Sequence, residues 1–193
     1  MIPAALLACA PNVAPVTLEA VISVESGGNP LAVHVNGLHE QPLAARNASE
    51  AARIAERFIA RGYSVDLGLM QVNSRNLAAL GVTIEQVLDP CPNIRSGAAI
   101  LTADYAEAAH IRGEGQSALQ AALSAYNTGD FYRGFANGYV ARYYGPNVPA
   151  LAGGLPEAVA AGSARRKVVA AVTNPYTADT SVFAREPSNV RIE

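Results

Sequence analysis

Hydrophobic positions along this chain fall mostly into helical periods. Leu18, Val21, Ile22 and Glu25 stand at i, i+3, i+4 and i+7, which predicts a helix capped by Thr17 and stopped by Gly27, Gly28 and Pro30. Ala51, Ile54, Ala55, Phe58 and Ile59 predict a helix over 50–61, opened by Ser49 and ended by Gly62. A short helix follows over 74–80, stopped by Gly81. Thr83 and Gln86 have capping-box spacing for another, which ends near Asp89. The longest predicted helix runs from Pro92 to about 111, with Ile94, Ala98, Leu101, Tyr105 and Ala108 as its inner stripe. Gly113 and Gly115 break it. Ser117 caps the next helix, whose inner face is Leu119, Ala122, Leu123 and Tyr126 and which ends at Asn127-Thr128-Gly129. Residues 137–144 read as a last helix.

Two stretches lack the helical period. Residues 31–48, with Asn36-Gly37, Pro42 and Asn47, read as a long loop, and 63–73 as a short apolar run that is neither clearly helix nor strand. From Gly145 the character changes. The last 49 residues hold five prolines and few large apolar side chains. They read as a low-complexity, mobile tail in which 156–172 is the one candidate helix. The chain thus divides into a mainly α domain with one irregular insertion, 1–144, and a tail, 145–193.

Composition narrows the class. With 50% hydrophobic and 16% charged residues, the chain is a globular protein and not a disordered one. Residues 1–144 carry nine Arg, no Lys and twelve acids. No basic stripe exists there, so nucleic acid is not the expected partner. No apolar run reaches 18 residues, so no transmembrane segment is expected. Met1 to Ala10 resembles the end of a signal peptide without its basic region, so a signal segment is not evident. Cys9 and Cys91 have no zinc spacing, and the three histidines form no ligand pattern; metal and organic cofactors are expected to be none. The two thiols are either free or paired, and a bridge would contribute roughly 4 to 5 kcal/mol in the chain-entropy model.

Glu25 is the residue that chemistry points to. A carboxyl on an apolar helix face is costly to ionise, so desolvation raises its pKa and keeps its proton, the state a general acid needs. The alternative is a frayed surface residue at a helix end.

Three stretches decide between these. Val24-Glu25-Ser26-Gly27-Gly28-Asn29-Pro30, Gly68-Leu69-Met70-Gln71-Val72-Asn73 and Ala125-Tyr126-Asn127-Thr128-Gly129 occur in this order, separated by helices. Together they resemble the lysozyme-like soluble lytic transglycosylases of glycoside hydrolase family 23. The residues from Asp66 to Ser74, Asp89-Pro90-Cys91 with Asn93, and Arg133-Gly134-Phe135 with Gly138-Tyr139-Val140 resemble the VirB1-like branch of type IV secretion systems. The resemblance covers roughly residues 9–144. It implies a mainly α, lysozyme-like fold with a small irregular or β insertion near the cleft.

It also implies a reaction: cleavage of the β-1,4 bond between N-acetylmuramic acid and N-acetylglucosamine in peptidoglycan glycan strands, leaving 1,6-anhydromuramyl ends. Glu25 would be the acid and base. The resemblance places Ser26, Gly68, Met70, Gln71, Asn73, Tyr126, Asn127 and Tyr139 at the substrate, with the Tyr126 hydroxyl aimed at Glu25. Core packing for Met70 and Tyr126, and a helix cap for Asn127, are the plain alternatives. The family's secreted context implies a Cys9–Cys91 disulfide, a periplasmic location and secretion-system partners. Phe135 stands near where larger members carry a glutamate, and His34 near a family serine. Hydrolysis by water, as in goose-type lysozymes, would need a second carboxylate, for which Glu40, Asp66 and Asp130 are candidates. A peptidoglycan-binding assembly factor without turnover is the non-catalytic alternative.

Overall fold

The computed structural model describes residues 2–144, so the predicted tail and its candidate helix lie outside the described residues. The chain builds helices around a small sheet. After α1 (Ala4–Leu7) come α2 (Pro15–Ser26), β1 (Val33–Val35) and α3 (Ala48–Ile59). Strands β2 (Val65–Leu67) and β3 (Val72–Asn73) follow, then a 3-10 turn (Ser74–Asn76) leading into α4 (Leu77–Leu80). The remainder is α5 (Ile84–Val87), α6 (Pro90–Arg112), α7 (Gln116–Thr128), α8 (Arg133–Ala136) and α9 (Ala141–Tyr144). This is the expected mainly α, lysozyme-like architecture with a small β insertion.

The sheet is antiparallel in the order β1-β2-β3, with Val33 opposite Leu67, His34 opposite Asp66, and Asp66 opposite Asn73. One face carries Val35, Val65, Leu67 and Val72 into a core; the other carries the polar residues.

Two cores flank the cleft. The helical one joins Leu18, Val21 and Ile22 of α2 to Ile94, Ala98, Leu101, Tyr105 and Ala108 of α6 and to the inner face of α7. The sheet-side one joins the strands to Ala51, Ala55 and Phe58 of α3, Val87 of α5 and Ile100 of α6. The predicted stripe of the longest helix is therefore buried. Tyr126 packs against both cores.

Several helix starts differ from the predicted ones. The first long helix opens at Pro15, two residues before Thr17, and Thr17 is buried inside it. Asn47, not Ser49, caps α3 by accepting from Glu50 N–H. Asp89 caps α6 and Pro90 takes its first position, which leaves Pro92 still within the first turn. Gly115, not Ser117, precedes α7. The capping box of Thr83 and Gln86 is present. Of the predicted 137–144 helix, the last four residues form α9; 137–140 are a turn with Gly138 at φ +78°, and the short α8 precedes it. The 31–48 loop contains β1, and 63–73 contains β2 and β3. Pairing across strands of two and three residues supplies what local period does not.

Cys9 and Cys91, 82 positions apart in sequence, form a disulfide with Cα atoms 5.4 Å apart. It fixes the N-terminal segment to the start of α6, and Ile2, Leu6 and Leu7 pack on the helical core. The signal-like decapeptide is thus folded into the domain from Ile2 on.

Candidate active site

Glu25 is the penultimate residue of α2, whose last turn is closed by Gly27 at φ +62°. The apolar face that buries Leu18, Val21 and Ile22 carries the carboxyl to the edge of the helical core, where it borders an open cleft of about 280 Å³. Ser26, Ala32, His34, Leu43 and Gln71 line the same cleft.

Burial pushes the Glu25 carboxyl up from 4.5 to about 7. The hydrogen bond from Tyr139 opposes this, the charge of Asp66 adds to it and Arg142 opposes it. The Tyr139 hydroxyl donates to Glu25 Oε1 and shares a 2.7 Å contact with the Tyr143 hydroxyl. Burial, then the charge of Glu25, drives the Tyr139 phenol well above its usual range, so it remains a donor. Tyr139 is 4% exposed, and Arg142, which donates to Val24 O at 2.7 Å, lies over its ring.

The hydroxyl that meets Glu25 is therefore that of Tyr139. Tyr126, to which the resemblance assigns this contact, instead donates to Met70 O at 2.6 Å. A Cβ at Gly97 would stand 2.9 Å from that hydroxyl and 2.6 Å from the Met70 Cβ, so glycine makes room for both. The pairing of Tyr139 with Tyr143 at i+4 was the available signal, but nothing local in the sequence brings residue 139 to residue 25.

The middle motif is a turn built by backbone. Gly68 has φ +72°, and a Cβ there would overlap the Asn93 amide. Asn93 is 1% exposed; it accepts from Met70 N–H at 2.8 Å and donates to Leu67 O and Val87 O at 2.8 and 2.7 Å. Met70, expected at the substrate, is fully buried in the helical core, because its side chain fills the gap over Gly97. Gln71 does line the cleft. Its φ of +48° makes it the non-glycine residue with left-handed backbone among those described, and its amide donates to Gly68 O at 2.9 Å.

The other predicted residues divide. The Ser26 hydroxyl is engaged with Leu69 O at 2.8 Å and ties α2 to this turn. Asn73 caps the 3-10 turn and donates to Asp66 Oδ1 at 2.6 Å. Asn127 is exposed and accepts from Asn137 at 3.2 Å; Gly129, not Asn127, closes α7. Phe135 packs against the helical core. Of the three candidate second carboxylates, Glu40 is exposed and Asp130 accepts from the N–H groups of Tyr132 and Arg133. Asp66 is the one whose charge acts on Glu25.

No group of three or more His, Cys, Asp or Glu side chains suited to a metal occurs among the described residues. No helix among them is long and apolar enough to cross a membrane.

Comparison with known proteins places this geometry. The chain is 46% identical over 132 residues to protein virB1 of Agrobacterium fabrum, an alignment that covers 68% of this chain and 53% of that protein. It is 43% identical over 140 residues to the type IV secretion system protein virB1 of Brucella abortus, covering 70% and 58%. The chain therefore spans about half the length of the curated relatives it matches. No solved structure matches it. The family model of the transglycosylase SLT domain matches residues 4–143, nearly all that the structure describes, and the chain belongs to that family.

Proposed function

We propose that the chain is a peptidoglycan lytic transglycosylase that acts in the periplasm and opens the wall for a type IV secretion or conjugation apparatus. The observation that carries this reading is one carboxyl, Glu25, kept protonated to about pH 7 at the edge of an open cleft. With Oε1 accepting from Tyr139, Oε2 is left to carry the proton, and Glu25 lines the cleft. Glu25 gives that proton to the glycosidic oxygen as the bond to the muramyl C1 breaks. The muramyl C6 hydroxyl attacks C1, and the Glu25 carboxylate takes its proton. The strand ends in a 1,6-anhydro ring, no water is consumed, and Glu25 is restored. An internal nucleophile already held beside C1 removes the need for a second carboxylate as base. Gln71 and the cleft loop around Leu43 would contact the glycan. The virB1 relatives, one named for the type IV secretion system, support the cellular context, and the tail would be a partner-binding or processed segment.

A second reading is water-dependent hydrolysis, favoured by the presence of Asp66 on the sheet side. Digestion of purified sacculi by the wild type and by Glu25→Gln, read by mass spectrometry, separates them. Anhydromuramyl ends, one water lighter than reducing ends, are expected from the wild type, with a loss of about 100-fold or more in Glu25→Gln. Reducing ends from the wild type mean hydrolysis. Product from Glu25→Gln at the wild-type rate removes Glu25 from the chemistry.

A further inference from the structure

The transglycosylase reading uses one carboxylate and leaves Asp66 without a role. Asp66 is the middle residue of β2, flanked by Val65 and Leu67, whose side chains enter the sheet-side core. Its own side chain takes the opposite face. The register sets His34, Asp66 and Asn73 in one row across the three strands, and His34 lines the cleft. Both carboxylate oxygens are engaged: Asn36 donates to Oδ2 at 2.7 Å and Asn73 to Oδ1 at 2.6 Å. Two amide donors favour the anion and fix its plane. Among the described residues the salt bridge is Arg46–Glu50, so the charge of Asp66 is oriented by amides and not closed by a partnering cation.

We propose that Asp66 is a positioning residue for the Glu25 proton, a fixed negative charge on the sheet side of the cleft that returns the proton to Glu25 in each turnover. This rests on the transglycosylase reading. When Glu25 protonates the leaving oxygen, it becomes an anion facing a second anion while positive charge gathers at C1 of the sugar. Attack by the C6 oxygen moves that charge from C1 onto the oxygen, which still holds its proton, and the repulsion between the two carboxylates makes Glu25 a stronger base for that proton. Glu25 gives one proton and regains one; Asp66 exchanges none.

The other groups around the pair are few. Tyr139 and, through it, Tyr143 meet Glu25 as neutral phenols, Tyr126 of α7 keeps its hydroxyl on Met70 O, and Arg142 of α9 pulls the Glu25 pKa down. His34 of β1 pulls that of Asp66 down, and burial raises it.

The experiment is the rate of sacculus digestion against pH for the wild type, Asp66→Asn and Asp66→Glu, with thermal melting to verify folding. The wild type is expected to give a bell: the acid limb marks ionisation of Asp66 and the alkaline limb, near pH 7, loss of the Glu25 proton. In Asp66→Asn the acid limb disappears and the alkaline limb moves to lower pH, so the rate at pH 7.5 falls about tenfold for each pH unit of that movement. Asp66→Glu restores the bell in part. Equal loss at every pH with unmoved limbs would show a purely structural role and overturn the proposal. So would a wild type that yields reducing ends which Asp66→Asn no longer yields, since Asp66 would then be activating water. If Asp66→Asn does not fold, Asn73→Ala carries the test: one lost donor moves the acid limb to higher pH, and an unmoved limb overturns the proposal. Failure of the parent reading is separate, shown by Glu25→Gln retaining wild-type activity or by the absence of anhydro ends from the wild type.

Discussion

On the helical side of the cleft, Glu25 lies in the last turn of a twelve-residue helix anchored in the core by Leu18, Val21 and Ile22. On the sheet side, Asp66 sits in a three-residue strand that fixes it through its neighbours' amides. Burial raises both carboxyls. It is opposed on the sheet side by two amide donors and His34, and on the helical side by one phenol and the Arg142 guanidinium. One wall of the cleft is therefore built to hold a proton, and on our proposal the other holds a charge. A helix can present a lone acid to an apolar edge because its own backbone is satisfied internally. A strand of three residues has exposed polar groups beside it, and these clothe a carboxylate as an anion.

Removing the disulfide tests how far the two walls are mechanically separate, and it has the largest expected effect. Cys9 and Cys91 join the N-terminal segment to the start of α6, both on the helical core. Cys9→Ser with Cys91→Ser should lower unfolding stability by about 4 kcal/mol in the chain-entropy model. Hydrogen exchange should show the loss first in α1 and α2. Equal early loss in β1 and β2 would mean that the two cores open as one unit, and the contrast between the walls would be energetic only.

Asn93→Ala breaks the joint between the walls. Its amide satisfies Met70 N–H, Leu67 O and Val87 O, all buried, and so pins the turn that carries Gln71 to α6. Three orphaned backbone groups should cost about 3 to 4 kcal/mol. Because that turn also holds the Tyr126 hydroxyl and Ser26, digestion should slow as well, even at temperatures where the protein is folded. A variant with the expected loss of melting temperature but a wild-type rate at 20 °C would show that the turn does not position the cleft.

How much of this was legible in the sequence differs between the same two walls. The helical side repeats every 3.6 residues, so Leu18-Val21-Ile22 and the stripe of α6 announce their faces, and Glu25 stands out as a break in the pattern. The caps were less legible. Thr17, Ser49 and Ser117 have the right chemistry, yet Pro15, Asn47 and Gly115 lie where the chain turns, and a proline at N1 needs no side-chain cap. The strands are too short for alternation to show, and the pairing of β1 with β2 joins residues about 30 positions apart. Asp66 therefore read only as one of three spare acids. Met70 and Tyr126 carried the right motif but face inward, since a motif fixes the order of residues and not which side of a turn reaches solvent.

The smallest effect concerns the proton itself and is a matter of sign. In the unfolded chain Glu25 titrates near 4.5, and in the folded one at about 7. Between those values the native state holds a proton that the unfolded state has released, so wild-type stability falls as pH rises through the window. Below pH 4.5 both states hold it and the contribution is fully present. Glu25→Gln cannot ionise, and its Oε1 still accepts from Tyr139. It should match the wild type at pH 4 and exceed it progressively up to pH 8, by at most about 3 kcal/mol because the carboxyl borders an open cleft. Urea midpoints at pH 4, 6 and 8 measure this. The titration of Asp66 is common to both proteins, so it drops out of the difference except where its charge acts on Glu25. Adding Asp66→Asn isolates that part. The stability gap between Glu25 and Gln should narrow in the Asp66→Asn background, because with the like charge across the cleft gone the helical wall has less reason to keep its proton. A gap of equal size in both backgrounds would leave burial as the sole cause and sever the two walls electrostatically.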